Sequence, residues 1–137
     1  MEFRKLKVQT KDGLLIELDD IVVDNCPKLS TALKRSSSEI SILENIHSTV
    51  MEKIIEWCKL SADRPIFDGP EHEMENCRGK LADWNENFFR ENWANIAEIT
   101  RGAIELGCSG LAKSCRFVAI RDMHKMSPHK LFRGMLM

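Results

Sequence analysis

The chain changes character at residues 61–80, and this change constrains the fold more than any other feature. The segment "SADRPIFDGPEHEMENCRGK" contains two prolines, two glycines and five acidic side chains. Proline interrupts regular hydrogen bonding, and so polar a composition buries little apolar surface. We therefore predict a flexible acidic linker over residues 65–81. Strand-like patterns occur only before it, whereas helix-like patterns occur on both sides.

Before the linker, three short segments alternate apolar and polar side chains with the period of a half-buried strand. They are "FRKLKVQT" at 3–10, "LLIEL" at 14–18 and "EISIL" at 39–43. The intervening "KDG" ends in Gly13, which tolerates positive φ and suits a hairpin turn. The pattern predicts a hairpin followed by a third strand.

Helical spacing is clearest in "HSTVMEKIIEWCKLS", which predicts the strongest helix of the chain. Its apolar side chains are Val50, Met51, Ile54, Ile55 and Cys58. Thr49 with Glu52 three residues later has the form of a capping box. Two shorter helices are predicted between the second and third strands, one capped by Asp19 or Asp20 and one with Pro27 in its first turn.

Three helices are predicted after the linker. The first carries an apolar stripe made of Ile96, Ile99, Ala103 and Leu106. The second follows the interruption "GCSG" and spans 109–123. The third spans 127–136, with Ser127 as its N-cap and Pro128 at its first position. Because this half has no sheet of its own, we expect it to dock on the first half.

The stretch "LADWNENFF" at 81–89 places three large aromatic side chains where the linker ends. Aromatic rings bury large areas, so a few of them can fix the point at which the chain re-enters a core. We predict that Trp84 and Phe88 seal the contact between the two halves. The alternative is an aromatic patch that faces a partner.

Charge and cysteine content exclude several classes of protein. The net charge is −1, from 20 basic and 21 acidic residues, so no broad positive field is available to hold phosphates, and we expect no nucleic-acid partner. Apolar runs are only a few residues long, and residues 1–8 do not have the pattern of a secretory signal, so we expect no membrane association. Five cysteines, an odd number, indicate reduced thiols and a cytoplasmic and nuclear location.

The sequence offers no recognisable catalytic or metal-binding motif. "GCSG" lacks the lysine of a phosphate loop, "HEMEN" lacks a second histidine, and no Cys-x-x-Cys pair occurs. Cys108 and Cys115 are predicted to be small core residues and not metal ligands. We expect no enzyme, no cofactor and no metal. A thiol enzyme built on Cys77 is a distant alternative.

Several strings occur together in a specific order. "KVQTKDG" with "IELD" is followed by "IIEWCKLSADRP", then by the acidic linker, then by "DWNENFF" and by "IELGCSGL" through "SPHKLF". In this combination the chain resembles the S-phase kinase-associated protein family, the small adaptor of cullin–F-box (SCF) ubiquitin ligases. The similarity covers nearly the whole chain, and its most specific part is the Trp–linker–Trp order.

The resemblance implies an α+β fold with three parts. Residues 1–64 would form a BTB/POZ domain, a small three-stranded sheet covered by helices. Residues 65–81 would be the linker, and 82–137 a C-terminal helical region of the dimerisation or F-box-binding type. The implied function is that of a non-catalytic adaptor, which links the N-terminal domain of a cullin to F-box substrate receptors for ubiquitin-dependent protein degradation. A weak homodimer is a further implied partner.

The resemblance also implies contact residues. The F-box-facing helices would be 109–123 and 127–136, and their apolar candidates are Leu111, Cys115, Val118, Leu131 and Phe132. The family's cullin-contacting Asn-Tyr pair falls on Ile104 and Glu105, so this sequence departs from the family pattern there.

A second departure is at the C terminus, where the family usually continues with two acidic helices and a Trp-Cys tail. The apolar side chains of 127–136 then either fold back on helix 109–123 as core or stay open for an amphipathic partner helix. The departures leave a second function open, a self-associating POZ scaffold or a degenerate paralogue that has lost cullin or F-box binding. An elongin-C-like adaptor is a variant that the linker and the aromatic re-entry disfavour.

Overall fold

A computed structural model describes residues 6–29, 40–69 and 80–125 of the chain. The predicted helix 127–136, with Leu131 and Phe132, lies outside the described residues. The same holds for the acidic centre of the predicted linker, including Cys77. Within the described ranges, no helix is long and apolar enough to cross a membrane.

A three-stranded sheet opens the fold. Strands β1 (Leu6–Gln9), β2 (Leu15–Leu18) and β3 (Ile40–Ile42) lie in the order β2-β1-β3. β1 pairs antiparallel with β2 and parallel with β3. Gly13 turns the chain between β1 and β2 with a φ of 86°, a conformation that costs glycine nothing sterically. The predicted hairpin and third strand are confirmed.

Two helical segments separate β2 from β3, and a longer helix follows. Helix α1 (Asp20–Asn25) begins after Asp19, whose side chain makes no capping hydrogen bond. Residues 27–29 are helical, as the position of Pro27 predicts. Helix α2 (Ser48–Leu60) confirms the strongest predicted helix. Its buried apolar face consists of Val50, Met51, Ile54, Trp57 and Cys58.

The predicted capping box at the start of α2 is wrong. The N-cap is His47, whose Nδ1 accepts a hydrogen bond from the Thr49 amide at 3.2 Å. The reason is a contact from the distant β1–β2 turn. Asp12 accepts hydrogen bonds from the Ser48 amide at 2.9 Å and from its hydroxyl at 2.6 Å. This carboxylate satisfies a first-turn amide and lies at the positive end of the helix dipole.

The two ends of the predicted linker pair with each other. Strand β4 (Phe67–Asp68) runs antiparallel to β5 (Lys80–Leu81) in a second, two-stranded sheet. The backbone therefore returns close to its point of departure, and Leu81 is fully buried. The division of the chain into domains stays a prediction.

The second half is helical. Helix α3 (Asp83–Glu91) leads through a 3₁₀ turn (Trp93–Asn95) to α4 (Ile96–Leu106) and α5 (Ser109–Lys125). Gly107 ends α4 in the left-handed conformation with a φ of 74°, the usual helix-ending role of glycine. The predicted helix 109–123 and the interruption before it are confirmed.

One hydrophobic core joins the two halves. Side chains of the sheet and of α2 pack with those of α3, α4 and α5. Its largest fully buried members are Trp57, Phe88, Phe89, Ile46, Met51 and Ile54. The helical half thus docks on the first half, as its lack of a sheet predicts.

Trp57 and Trp84 meet at this contact, with ring centroids 5.7 Å apart. The Trp84 indole N–H donates to the Pro65 carbonyl at 2.7 Å, which ties α3 to the segment after α2. Phe88 is 2% exposed. The prediction that Trp84 and Phe88 seal the re-entry point is confirmed.

Candidate partner-binding site

A buried polar network positions α3 against α2 and α5. The Trp57 indole N–H donates to Asn85 Oδ1 at 2.9 Å, and Asn85 Nδ2 donates to Ser114 Oγ at 3.0 Å. The Ser114 hydroxyl donates in turn to the Gly110 carbonyl at 2.9 Å. Asn85 and Ser114 are fully buried, and every bond satisfies a group that would be costly to bury alone. The network fixes the spacing of α3 and α5.

An open groove of about 450 Å³ lies between α3 and α5, beyond this network. Its lining includes Glu86, Phe89, Trp93, Val118, Arg121 and Asp122. Phe89 and Val118 are almost completely buried and form the apolar floor. Trp93 is 51% exposed at the rim. An exposed indole beside an apolar floor is a typical setting for a protein contact.

Arg121 provides the polar side of the groove. Its guanidinium pairs with Glu86 across the two helices and lies 5.8 Å from the centre of the Phe117 ring. The Nε atom is buried and has no hydrogen-bond partner among the described residues, although the Asp122 carboxylate is 3.5 Å away. A buried donor without a hydrogen-bond partner is uncommon, and here the Asp122 carboxylate compensates its charge.

Three of the predicted F-box contacts lie within the described residues, and all three are buried. Leu111 and Cys115 are 0% and 4% exposed and belong to the chain's own core. Val118 is equally buried, at 1% exposed, so burial does not separate the three residues, and their role as F-box contacts stays a prediction. Val118 also lines the groove. Phe89 and Trp93, which sequence reasoning did not select as contacts, lie there with it.

The predicted cullin-contact positions lie on the surface of α4. Ile104 is 57% exposed and Glu105 is exposed beside it. The Ile104 carbonyl accepts a hydrogen bond from Lys28 Nζ at 3.2 Å, which places a positive charge at the C-terminal end of α4. An isoleucine so exposed contributes little hydrophobic stabilisation to the fold, and its side chain is available for a contact with a partner.

A second cavity, of about 620 Å³, lies at the start of α2. Asp12, His47 and Arg101 are among its lining residues. Hydrogen bonds from the Ser48 and Thr10 side chains hold the pKa of the Asp12 carboxyl well below its usual range. Because that carboxylate already serves the helix start, we assign it a structural role.

The structure brings together three thiols that are distant in sequence. The Sγ atoms of Cys26, Cys58 and Cys108 lie within 4.8 Å of one another, and all three side chains are buried. Hydrogen bonds from the Cys26 and Cys58 thiols to the Cys108 sulfur lower the pKa of Cys108. The bonds of Cys58 to Cys108 and to Cys26 raise the pKa of Cys58, and the bond of Cys26 to Cys108 raises the pKa of Cys26. Burial raises the pKa of Cys115.

Sequence reasoning places Cys108 in the core, which is confirmed, but it missed this cluster. Intervals of 32 and 50 residues between the cysteines match no motif, and only the packing of α1 and α5 against α2 brings them together.

The fold and the groove together define a class of protein. A three-stranded sheet covered by helices, with further helices that share its core and leave a groove and an exposed Ile104, is a small domain of the POZ kind.

Comparison with known proteins shows which family the chain is similar to. Residues 4–63 match the sequence model described as Skp1 family, tetramerisation domain. The E3 ubiquitin ligase complex SCF subunit sconC of Arthroderma otae is 22% identical over 132 residues, which covers 88% of this chain and 80% of that protein. The sconC subunits of Talaromyces stipitatus and Talaromyces marneffei are 20% and 19% identical over 131 residues, covering 88% of this chain and 82% of each relative.

Residues 4–63 are therefore a Skp1-family POZ domain. The resemblance to the S-phase kinase-associated protein family, drawn from the sequence strings, is confirmed.

Proposed function

We propose that this protein is a non-catalytic adaptor of an SCF-type ubiquitin ligase, which links a cullin to F-box substrate receptors. The observation that carries the proposal is the combination of the Skp1-family POZ domain with similarity to SCF subunits over 88% of the chain. An adaptor of this kind acts by raising the effective concentration of a substrate near the ligase and needs no chemistry of its own.

The groove between α3 and α5 supports the receptor side of the proposal. Trp93, half exposed at the rim above the buried Phe89 and Val118, is the apolar side chain that the groove offers to an amphipathic helix. Arg121 and Asp122 add a polar edge that can orient the helix. Leu131 and Phe132, outside the described residues, are proposed to extend the same contact.

The exposed face of α4 supports the scaffold side. We propose that Ile104 and Glu105 contact the N-terminal domain of the cullin. An isoleucine in place of the family's polar residue favours an apolar contact, because a half-exposed Ile104 gains free energy when a partner covers it. Function in an SCF ligase would place the protein in the cytoplasm and nucleus, where the reduced cysteines predict it.

Two single variants test the two contacts separately. Trp93→Ala removes the exposed indole from the groove, and Ile104→Asp puts a charge on α4. Both positions are more than half exposed, so neither change should unfold the chain. We expect Trp93→Ala to weaken F-box binding by about 2 kcal/mol, or roughly 30-fold in Kd, as is typical when a large aromatic contact is removed.

Each variant is the control for the other. Trp93→Ala should retain cullin binding, and Ile104→Asp should retain F-box binding, as measured by pull-down with purified partners from one organism. If both variants bound both partners as the parent chain does, the two contact surfaces would be misassigned.

A second function is favoured by a separate observation. The outer face of the sheet exposes Leu15 by 55% and Ile42 by 65%, and the two residues are opposite each other on either side of Gln9. Such a row can bury apolar area against a second copy, as in a self-associating POZ scaffold. Light scattering of the chain alone tests this function: a dimer that Ile42→Lys converts to a monomer would support it, and a monomeric parent chain would exclude it.

A further inference from the structure

We propose that Cys26, Cys58 and Cys108 form a buried trigonal site for a soft monovalent metal ion, Cu(I). The inference is independent of the ligase function, since it rests on the interior of the fold and not on the groove or on the exposed face of α4.

The geometry is close to that of a bound state. Three sulfurs at about 2.3 Å from one ion lie about 4 Å from each other when the ion is in their plane. The three Sγ atoms lie within 4.8 Å of one another. They therefore need to move by less than about 1 Å to reach coordination distance, which a small change in side-chain torsion provides.

The backbone at all three ligands is held in place. The Cys26 amide donates to the Val23 carbonyl at 3.2 Å, and the Cys108 amide donates to the Ala103 carbonyl at 2.8 Å. Cys58 is in the last turns of α2. A site whose ligands are fixed by three different elements is largely preorganised, so metal binding does not have to order a loop.

The ligand set favours Cu(I) over the other common ions. Thiolates are soft ligands and select Cu(I), zinc and iron–sulfur clusters. Structural zinc is almost always four-coordinate, but within the described ranges the cluster contains three ligand atoms and not four. Cu(I) is satisfied by three sulfurs in a plane. All three side chains are fully buried, and a dry site protects Cu(I) from oxidation.

The start of α5 helps to hold the negative charge that the site requires. Cys108 directly precedes α5, so it lies at the positive end of the helix dipole. Binding forms three copper–sulfur bonds, and protons still on the thiols leave to solvent. The metal enters and remains as Cu(I), so no electron is transferred.

Cys115 provides a matched control within the same core. It is a free thiol, 4% exposed, and does not belong to the three-sulfur group. Alanine at this position removes a buried thiol, as it does at Cys26, but leaves the proposed ligands in place. Cys77→Ala removes the remaining thiol of the chain.

The experiment uses the full chain, reduced and free of oxygen. Cu(I) is added in the presence of a coloured Cu(I) chelator, which sets the affinity scale, and X-ray absorption at the copper edge counts the ligands. We expect one Cu(I) per chain, bound by three sulfurs at about 2.3 Å. The bound ion should raise the unfolding temperature, because it binds the folded state preferentially.

The variants decide whether the cluster is the site. Cys26→Ala and Cys58→Ala should weaken Cu(I) binding by more than roughly 100-fold, since even the loss of a group outside the ligand shell costs 10- to 100-fold. Cys115→Ala and Cys77→Ala should bind as the parent chain does. The assignment would be overturned if Cys115→Ala lost as much Cu(I) affinity as Cys26→Ala, or if Cys26→Ala bound Cu(I) as the parent chain does. Should Cys26→Ala fail to fold, the sulfur count of the parent protein decides: fewer than three sulfurs, or no binding against the chelator, refutes the site.

Discussion

The network around Asn85 yields the most quantitative prediction. Asn85→Ala removes the acceptor of the Trp57 indole N–H and the donor to Ser114 Oγ, and it also removes a hydrogen bond to the Ile66 carbonyl at 3.3 Å. Each hydrogen bond contributes about 1 kcal/mol net, and a buried donor left without a partner costs about 1–3 kcal/mol. From the two bonds that Asn85 donates and the Trp57 N–H left without a partner, we expect the free energy of unfolding to fall by about 3–5 kcal/mol.

Asn87→Ala is the matched control, because it makes the same chemical change on the same helix. Asn87 is exposed and accepts one hydrogen bond, from Arg90 at 3.3 Å, so its loss should change stability by no more than about 0.5 kcal/mol. Urea denaturation followed by circular dichroism measures both variants.

A double-mutant cycle sharpens the result. Trp57→Phe removes the indole N–H that Asn85→Ala leaves without a partner, so the double variant should be more stable than the sum of the two single effects predicts, by about 1 kcal/mol or more. If Asn85→Ala were as stable as Asn87→Ala, the network would not hold α3 in place and the reasoning would be refuted.

Three further predictions concern a turn, a helix start and a surface. Gly107→Ala should lower stability by about 1–2 kcal/mol because of the positive φ, and Gly107→Asn by less, since asparagine tolerates that conformation; equal losses would show that φ is not the cause. The low pKa of Asp12 means that the folded state binds fewer protons than the unfolded state, so its contribution is complete above about pH 4 and is lost as the pH falls further. Asp12→Asn should accordingly flatten the fall of stability below that pH in acid titrations, and an unchanged slope would assign the fall to other groups. Leu131→Asp combined with Phe132→Asp should abolish F-box copurification while circular dichroism stays unchanged; retained copurification would remove these two residues from the contact.

Patterns within single segments predicted the local structure well. The alternation of apolar and polar side chains through Val8 and Ile16 depends only on adjacent residues. The apolar stripe of Ile99, Ala103 and Leu106 depends only on the spacing within one helix. The return of the chain to the core at Trp84 could also be predicted, because three large aromatic rings that follow a polar segment can bury a large apolar area.

Other contacts between distant segments could not be predicted. Asp12 accepts a hydrogen bond from the amide of Ser48, which lies 36 residues later at the start of α2. The expected capping box is not formed there. The three thiols converge from α1, α2 and the start of α5, which no spacing rule detects. Leu111 and Cys115 have the spacing of a contact stripe, but the same spacing serves a core, and only packing decides between the two.

The adaptor proposal is tested most directly by reconstitution of the complex. The full chain would be mixed with a purified cullin N-terminal domain and a purified F-box protein from one organism, and the mass of the species measured by size-exclusion chromatography with light scattering. We predict a ternary complex with one copy of each protein, in which the cullin and the F-box protein associate only when this chain is present. Elution of the chain apart from both proteins, as a monomer or as its own dimer, would contradict the account.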